Sequence, residues 1–228
     1  MNLTILLSLV VAVTAVYVLK QLMEVLALRK AGRRAFTEVG RRALVRLPEH
    51  ITLARVESPA WQDAAAIEQQ TAPLLHEGFT DLGAYRVDKT PGVLIRILFQ
   101  PQTYIAAHIY DHPTAGSWIE FASRYTNGSS HTLSTMPPTG KQQPDWLRKI
   151  QADRSTPTDQ LYHQFRTQRE WHGIKPVETA EVIHEFEDGY MRHMSWRQNT
   201  GISLEEVVPV GLKWVKKKQQ AQAAGTIG

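Results

Sequence analysis

Five side chains fall into a pattern on which chemistry could be built: His108, Tyr110, Trp118, Glu120 and Arg124. They lie in two neighbouring segments, 103–111 (TYIAAHIYD) and 117–126 (SWIEFASRYT), both rich in branched and aromatic residues and both read as strands. Alternate side chains of a strand share a face. Ile105, Ala107 and Ile109 therefore form one apolar face, matched on the next strand by Ile119 and Phe121. The opposite face gathers the five, with Arg96 of a neighbouring strand as a further member. Such a face can be a concave ligand site, with aromatic surface and a few orienting charges. His108 beside Glu120 has the composition of an acid/base pair. The plainer reading is a solvated or helix-covered sheet face held by cross-strand aromatic and Glu–Arg pairs.

No stronger motif competes. The chain has no P-loop, G-x-G-x-x-G, G-x-S-x-G or H-E-x-x-H. The nearest approach is His184-Glu185-Phe186-Glu187-Asp188, whose fifth position is aspartate where zinc would need a second histidine. An exposed polar helix face opposite Phe186 explains it more simply. His193 lies nine residues on, about half a turn out of phase, so it does not converge with His184. The chain has no cysteine, which removes disulfides, thiolate ligands and cysteine nucleophiles. Neither a metal nor a cofactor is expected.

The elements that must position these residues read as α+β. Ser58-Pro59 looks like a cap and first helical residue, and the spacing of Trp61, Ala64, Ala65 and Leu75 predicts a helix over 59–76 stopped by Gly78. Pro73 falls inside it. An antiparallel meander of four or five strands follows, at 79–87, 93–100, 103–111, 117–126 and 129–135. Asn127-Gly128 marks its last hairpin, with both residues at positive φ. Thr156-Pro157-x-Asp159 opens a second helix running to Gly173. A third covers 177–199, with Val182, Phe186, Tyr190 and Met194 on one stripe and Gly189 as a weak spot. Ser203-x-x-Glu206 caps a further turn. One sheet face must be covered, most simply by the helices.

The most marked segment lies elsewhere. Residues 3–19 (LTILLSLVVAVTAVYVL) carry no charge. As a helix they span roughly 25 Å, a little under a hydrocarbon core of about 30 Å. Lys20 and Glu24 are spaced to pair, and the apolar stripe continues to Leu28. Neither a basic residue before the run nor a small-residue cleavage site after it suggests a signal peptide. The expected organisation is an anchor at 1–28, a basic juxtamembrane segment at 29–47, an α+β domain at 48–212 and a basic, disordered tail at 213–228. The net charge of +4 divides accordingly: +5 over 1–50, −5 over 51–212 and +4 over 213–228. A nucleic-acid-binding body would be basic, so nucleic acid is not an expected partner. Lys20, Arg29, Lys30, Arg33, Arg34, Arg41 and Arg42 all follow the apolar run, and Arg46 continues the series. By the positive-inside rule the domain faces the cytoplasm beneath a cell (inner) membrane, the N-terminus outside. These cations would also contact anionic lipid, at about 1 kcal/mol each. Lys213-Trp214-Val215-Lys216 is composed either to touch the bilayer again or to end a helix.

Three classes of function follow. The first is a non-catalytic interaction domain, an accessory subunit of a membrane-protein complex. The second is a membrane-tethered small-ligand-binding or sensing domain using the His108, Glu120 and Arg124 face. The third is a hydrolase using the same residues.

Overall fold

The computed structural model describes residues 48–136 and 143–200. The expected anchor, the juxtamembrane cations Lys20 to Arg46, the Ser203 capping box and the basic tail lie outside these residues. No helix among the described residues is long and apolar enough to cross a membrane.

The class is α+β, as the order of elements suggested, but the sheet is larger than expected. It has seven strands in sequential order: β1 (Leu53–Val56), β2 (Thr80–Val87), β3 (Leu94–Gln100), β4 (Ile105–His112), β5 (Gly116–Arg124), β6 (Ser130–Ser134) and β7 (Leu147–Gln151). The first six form an antiparallel meander. β7 instead joins β6 in parallel. β1 and β7 carry the two edges, and both went unread. LARV and LRKIQ each hold only two strongly apolar residues, so pairing with a neighbour makes them strands, not an internal pattern.

Among the described residues three helices accompany the sheet: α1 (Ala64–His76), α2 (Thr158–Gln168) and α3 (Val182–Thr200). α1 starts later than Ser58-Pro59 suggested. Its cap is Asp63, whose carboxylate accepts from the Ala66 amide at 2.9 Å. The preceding stretch is held by the sheet, because the Gln62 amide donates to the buried Asp111 carboxylate at 2.6 Å. The helix runs through Pro73 to His76. α2 receives no side-chain cap and ends before Gly173, where Arg169 turns extended and donates inward to the Thr103 carbonyl and the Ser123 hydroxyl. A capping box between Glu178 and Glu181 forms a short 3-10 turn (Thr179–Glu181) that leads into α3. At the β5–β6 hairpin only Gly128 takes a positive φ, 81°; Asn127 accepts from the Ser129 amide through its side chain. This is a one-residue-longer loop than an Asn-Gly two-residue turn, closed by Gly128 N–H to the Tyr125 carbonyl at 2.9 Å.

Both sheet faces are covered, where one was expected. On the first, Ile105, Ala107, Ile109, Ile119 and Phe121 pack with Ile67 and Leu74 of α1 and Leu161, Tyr162 and Phe165 of α2. On the second, Ile95, Ile97 and Phe99 pack with Val182, while Phe186 and Tyr190 lean on the same cluster from α3. The stripe at every fourth residue of α3 thus meets the face that carries the candidate site. Burying this many aliphatic and aromatic side chains at about 1.5–3 kcal/mol each is what holds the helices to the sheet.

Candidate functional site

The β4–β5 register sets His108 opposite Glu120, Tyr110 opposite Trp118 and Ala106 opposite Ala122. Arg124 follows two residues further along β5 and pairs with Ser130 of β6. His108, Tyr110, Trp118, Glu120 and Arg124 therefore share one face, and α3 closes over it. Between helix and sheet lies a cavity of about 310 Å³ whose wall includes His108, Tyr110, Glu120 and Arg124. Trp118 is outside the wall; its ring stacks on Tyr110 at 4.5 Å and 11°. Arg96 is not part of the group. It pairs with Ile109, hence it points to the α1 side, where it bonds Asp81 at 2.7 Å and Glu68 at 3.3 Å. The error is one of register: a shift of one residue between neighbouring strands reverses the face.

Glu120 is the most heavily bonded group of the site. It accepts from the Ser134 hydroxyl at 2.7 Å, the Lys149 ammonium at 3.3 Å and the Tyr110 hydroxyl at 3.2 Å. Burial pushes its pKa up, but the Lys149 charge and the Ser134 bond outweigh burial and hold the carboxyl below its usual value. Tyr110 moves the other way, since burial and the adjacent carboxylate both raise it.

His108 is 6% exposed and its ring lies 4.8 Å from that of Phe186. Burial pushes its pKa down to about 4, against the pull of Glu120, so the imidazole is neutral over the ordinary pH range. Among the described residues it makes no hydrogen bond, although it lines the cavity. His193 of α3 is a second such wall residue, lowered by burial and then by Arg197 and Lys149. His184 remains outside: it is exposed and pairs with Asp188 at 3.4 Å. No group of His, Asp and Glu among the described residues is arranged to hold a metal.

Arg124 is positioned by α3. Its guanidinium donates to the Glu185 carbonyl at 2.9 Å and lies 3.8 Å from the Glu185 carboxylate, which Lys175 also pairs. Burial lowers its pKa while Glu185 opposes the shift. The niche exists because residue 189 is glycine. A Cβ there would stand 1.9 Å from the Arg124 Nη2. The weak spot in the helix pattern is thus the seat of a side chain from the sheet.

Sequence reasoning missed Lys149, His193 and the aromatic wall. Lys149 lies on the unread β7, and His193 was considered only with His184. Phe186 and Tyr190 were legible as a stripe, but nothing in the sequence told which face they would cover. Comparison of the chain with protein-family models, with curated proteins and with solved structures finds no match, so the site is characterised by its own geometry alone.

Proposed function

We propose that this chain is a membrane-tethered, non-catalytic small-molecule-binding domain. The observation that carries the reading is the 310 Å³ cavity beneath α3, with the buried, unbonded His108 in its wall. Ligand sites are concave, mostly apolar and fitted with a few placed polar groups, and small ones begin at about 300 Å³. Phe99, Tyr104, Phe186 and Tyr190 supply the apolar surface here.

Two observations favour binding over the other classes. A hydrolase needs a base near its working pH, yet His108 sits at about 4 and bonds neither Glu120 nor a wall hydroxyl such as Ser130 or Thr132. An accessory subunit needs a docking surface, yet only Leu75 and Trp171 are exposed large hydrophobics among the described residues. The anchor over residues 3–19 and its basic flank would hold this domain at the cytoplasmic surface of the membrane, within reach of molecules that partition there.

A thermal-shift screen of metabolites on the full chain in nanodiscs tests the reading. At least one compound should raise Tm by about 2 °C or more by mass action. The Ala106→Trp variant, which fills the cavity, should abolish that shift. A screen without hits, or hits unaffected by Ala106→Trp, would reject it.

A further inference from the structure

The wall of the cavity separates its charged groups from its unsatisfied ones. Glu120 is paired with Lys149, and Glu185 with Arg124 and Lys175. Arg197, the remaining cation of the wall, is also engaged. The side-chain polar groups of the wall that make no hydrogen bond include His108, His193, Tyr104 and Thr132, and burial favours the neutral form of both imidazoles. His108 is the deepest of them, and its surroundings discriminate by charge. The Glu120 carboxylate lies directly across the strand pair and would repel an anion brought to the imidazole. Arg124 acts on the same imidazole with the opposite sign, so neither an anion nor a cation finds a net partner there. The cavity wall carries six aromatic rings, those of Phe99, Tyr104, Tyr110, Trp146, Phe186 and Tyr190, of which Phe186 lies against His108. Rings of this kind favour offset or edge-on partners that are themselves aromatic.

Resting on the ligand-binding reading, we infer that the cavity takes an uncharged aromatic molecule whose hydroxyl or carbonyl hydrogen-bonds the His108 imidazole. A neutral imidazole offers one donor and one acceptor, so it serves either group. A ligand that covers the ring without offering it a partner strands a polar group, which makes the imidazole a filter for ligands bearing one. A ligand without formal charge also avoids desolvating an ion and leaves the three salt bridges intact.

Three probes of one shape test the charge rule: 2-naphthol, 2-naphthoate and 2-naphthylmethylamine, titrated at pH 7 into the full chain in nanodiscs, with empty nanodiscs subtracted. 2-Naphthol should bind about tenfold or more tightly than either charged probe. The His108→Phe variant should weaken 2-naphthol about fivefold or more, the scale of one hydrogen bond, and His108→Gln, which keeps a donor and an acceptor, should recover most of it. Equal or tighter binding of 2-naphthoate or of the amine would overturn the inference while leaving a ligand-binding cavity in place. Unchanged 2-naphthol affinity in both His108 variants would overturn the role given to the imidazole. Binding of none of the three would overturn the inference, whereas the ligand-binding reading beneath it falls only with the metabolite screen.

Discussion

His108 and Glu120 sit opposite each other, yet burial has opposite consequences for their charge. The carboxylate keeps its charge because three donors compensate for lost water; the imidazole, with no acceptor, gives its charge up. The sign of the resulting pH dependence follows. A histidine whose folded pKa lies below its unfolded value binds its proton more weakly when folded. Stability is then intact above about pH 6.5 and declines as pH falls toward about 4, by up to about 3 kcal/mol for this shift. Glu120, lowered in the fold, contributes above its unfolded value and loses that contribution only as pH falls below it. The two windows are separable. Urea unfolding of the full chain between pH 7 and pH 4.5 should show a loss of stability that His108→Gln reduces, the remainder coming from His131 and His193, which burial also lowers. Parallel wild-type and variant curves would show that His108 is not buried and neutral.

At the scale of elements, α3 is docked by an exchange between strand and helix. A mid-helix glycine ordinarily costs about 0.5–1 kcal/mol relative to alanine. Gly189 is retained where Arg124 crosses the helix backbone and donates to the Glu185 carbonyl. In the wild type, Gly189→Ala should therefore lower Tm, because the guanidinium must leave a partly buried bond. In an Arg124→Ala background the same substitution should stabilise by about 1 kcal/mol, the propensity gain alone. A double-mutant cycle by chemical denaturation gives the coupling; additive effects would mean that the arginine does not occupy the niche. The same close approach explains why the helix looked weak in sequence, since the partner of residue 189 is 65 positions away. β1 and β7 were hidden for a related reason. β1 is tied to α3 through the Leu53 amide on Glu187 at 2.7 Å, and β7 to β5 through Lys149 on Glu120. Such bonds leave no local periodicity.

For the whole molecule, the proposed attachment of the domain to a membrane rests on charge and hydropathy. The acidic central segment is flanked by basic ones, and the single apolar run is followed by seven cations, Lys20 to Arg42. Fusing reporters to the C-terminus should give a fluorescent cytoplasmic protein and an inactive periplasmic phosphatase. The reverse pattern would place the domain outside. The orientation matters to the proposed function, because a neutral aromatic ligand would reach a domain held at a membrane surface by partition as well as from solution.

Composition and periodicity by themselves determined the α+β class, the five inner strands, the i, i+4 stripe of α3 and the sharing of one face by His108, Tyr110, Trp118, Glu120 and Arg124. These follow from periods of 2.0 and 3.6 residues, which are properties of a single segment. The tertiary structure alone decided that both faces of the sheet are covered, that Arg96 points to the far side, and that Lys149 and His193 join the site. Each of those depends on register or on packing between distant segments. It also turned a polar sheet face, which alone would be solvated, into the wall of a cavity, because α3 lays Phe186 and Tyr190 over it while Gly189 admits Arg124.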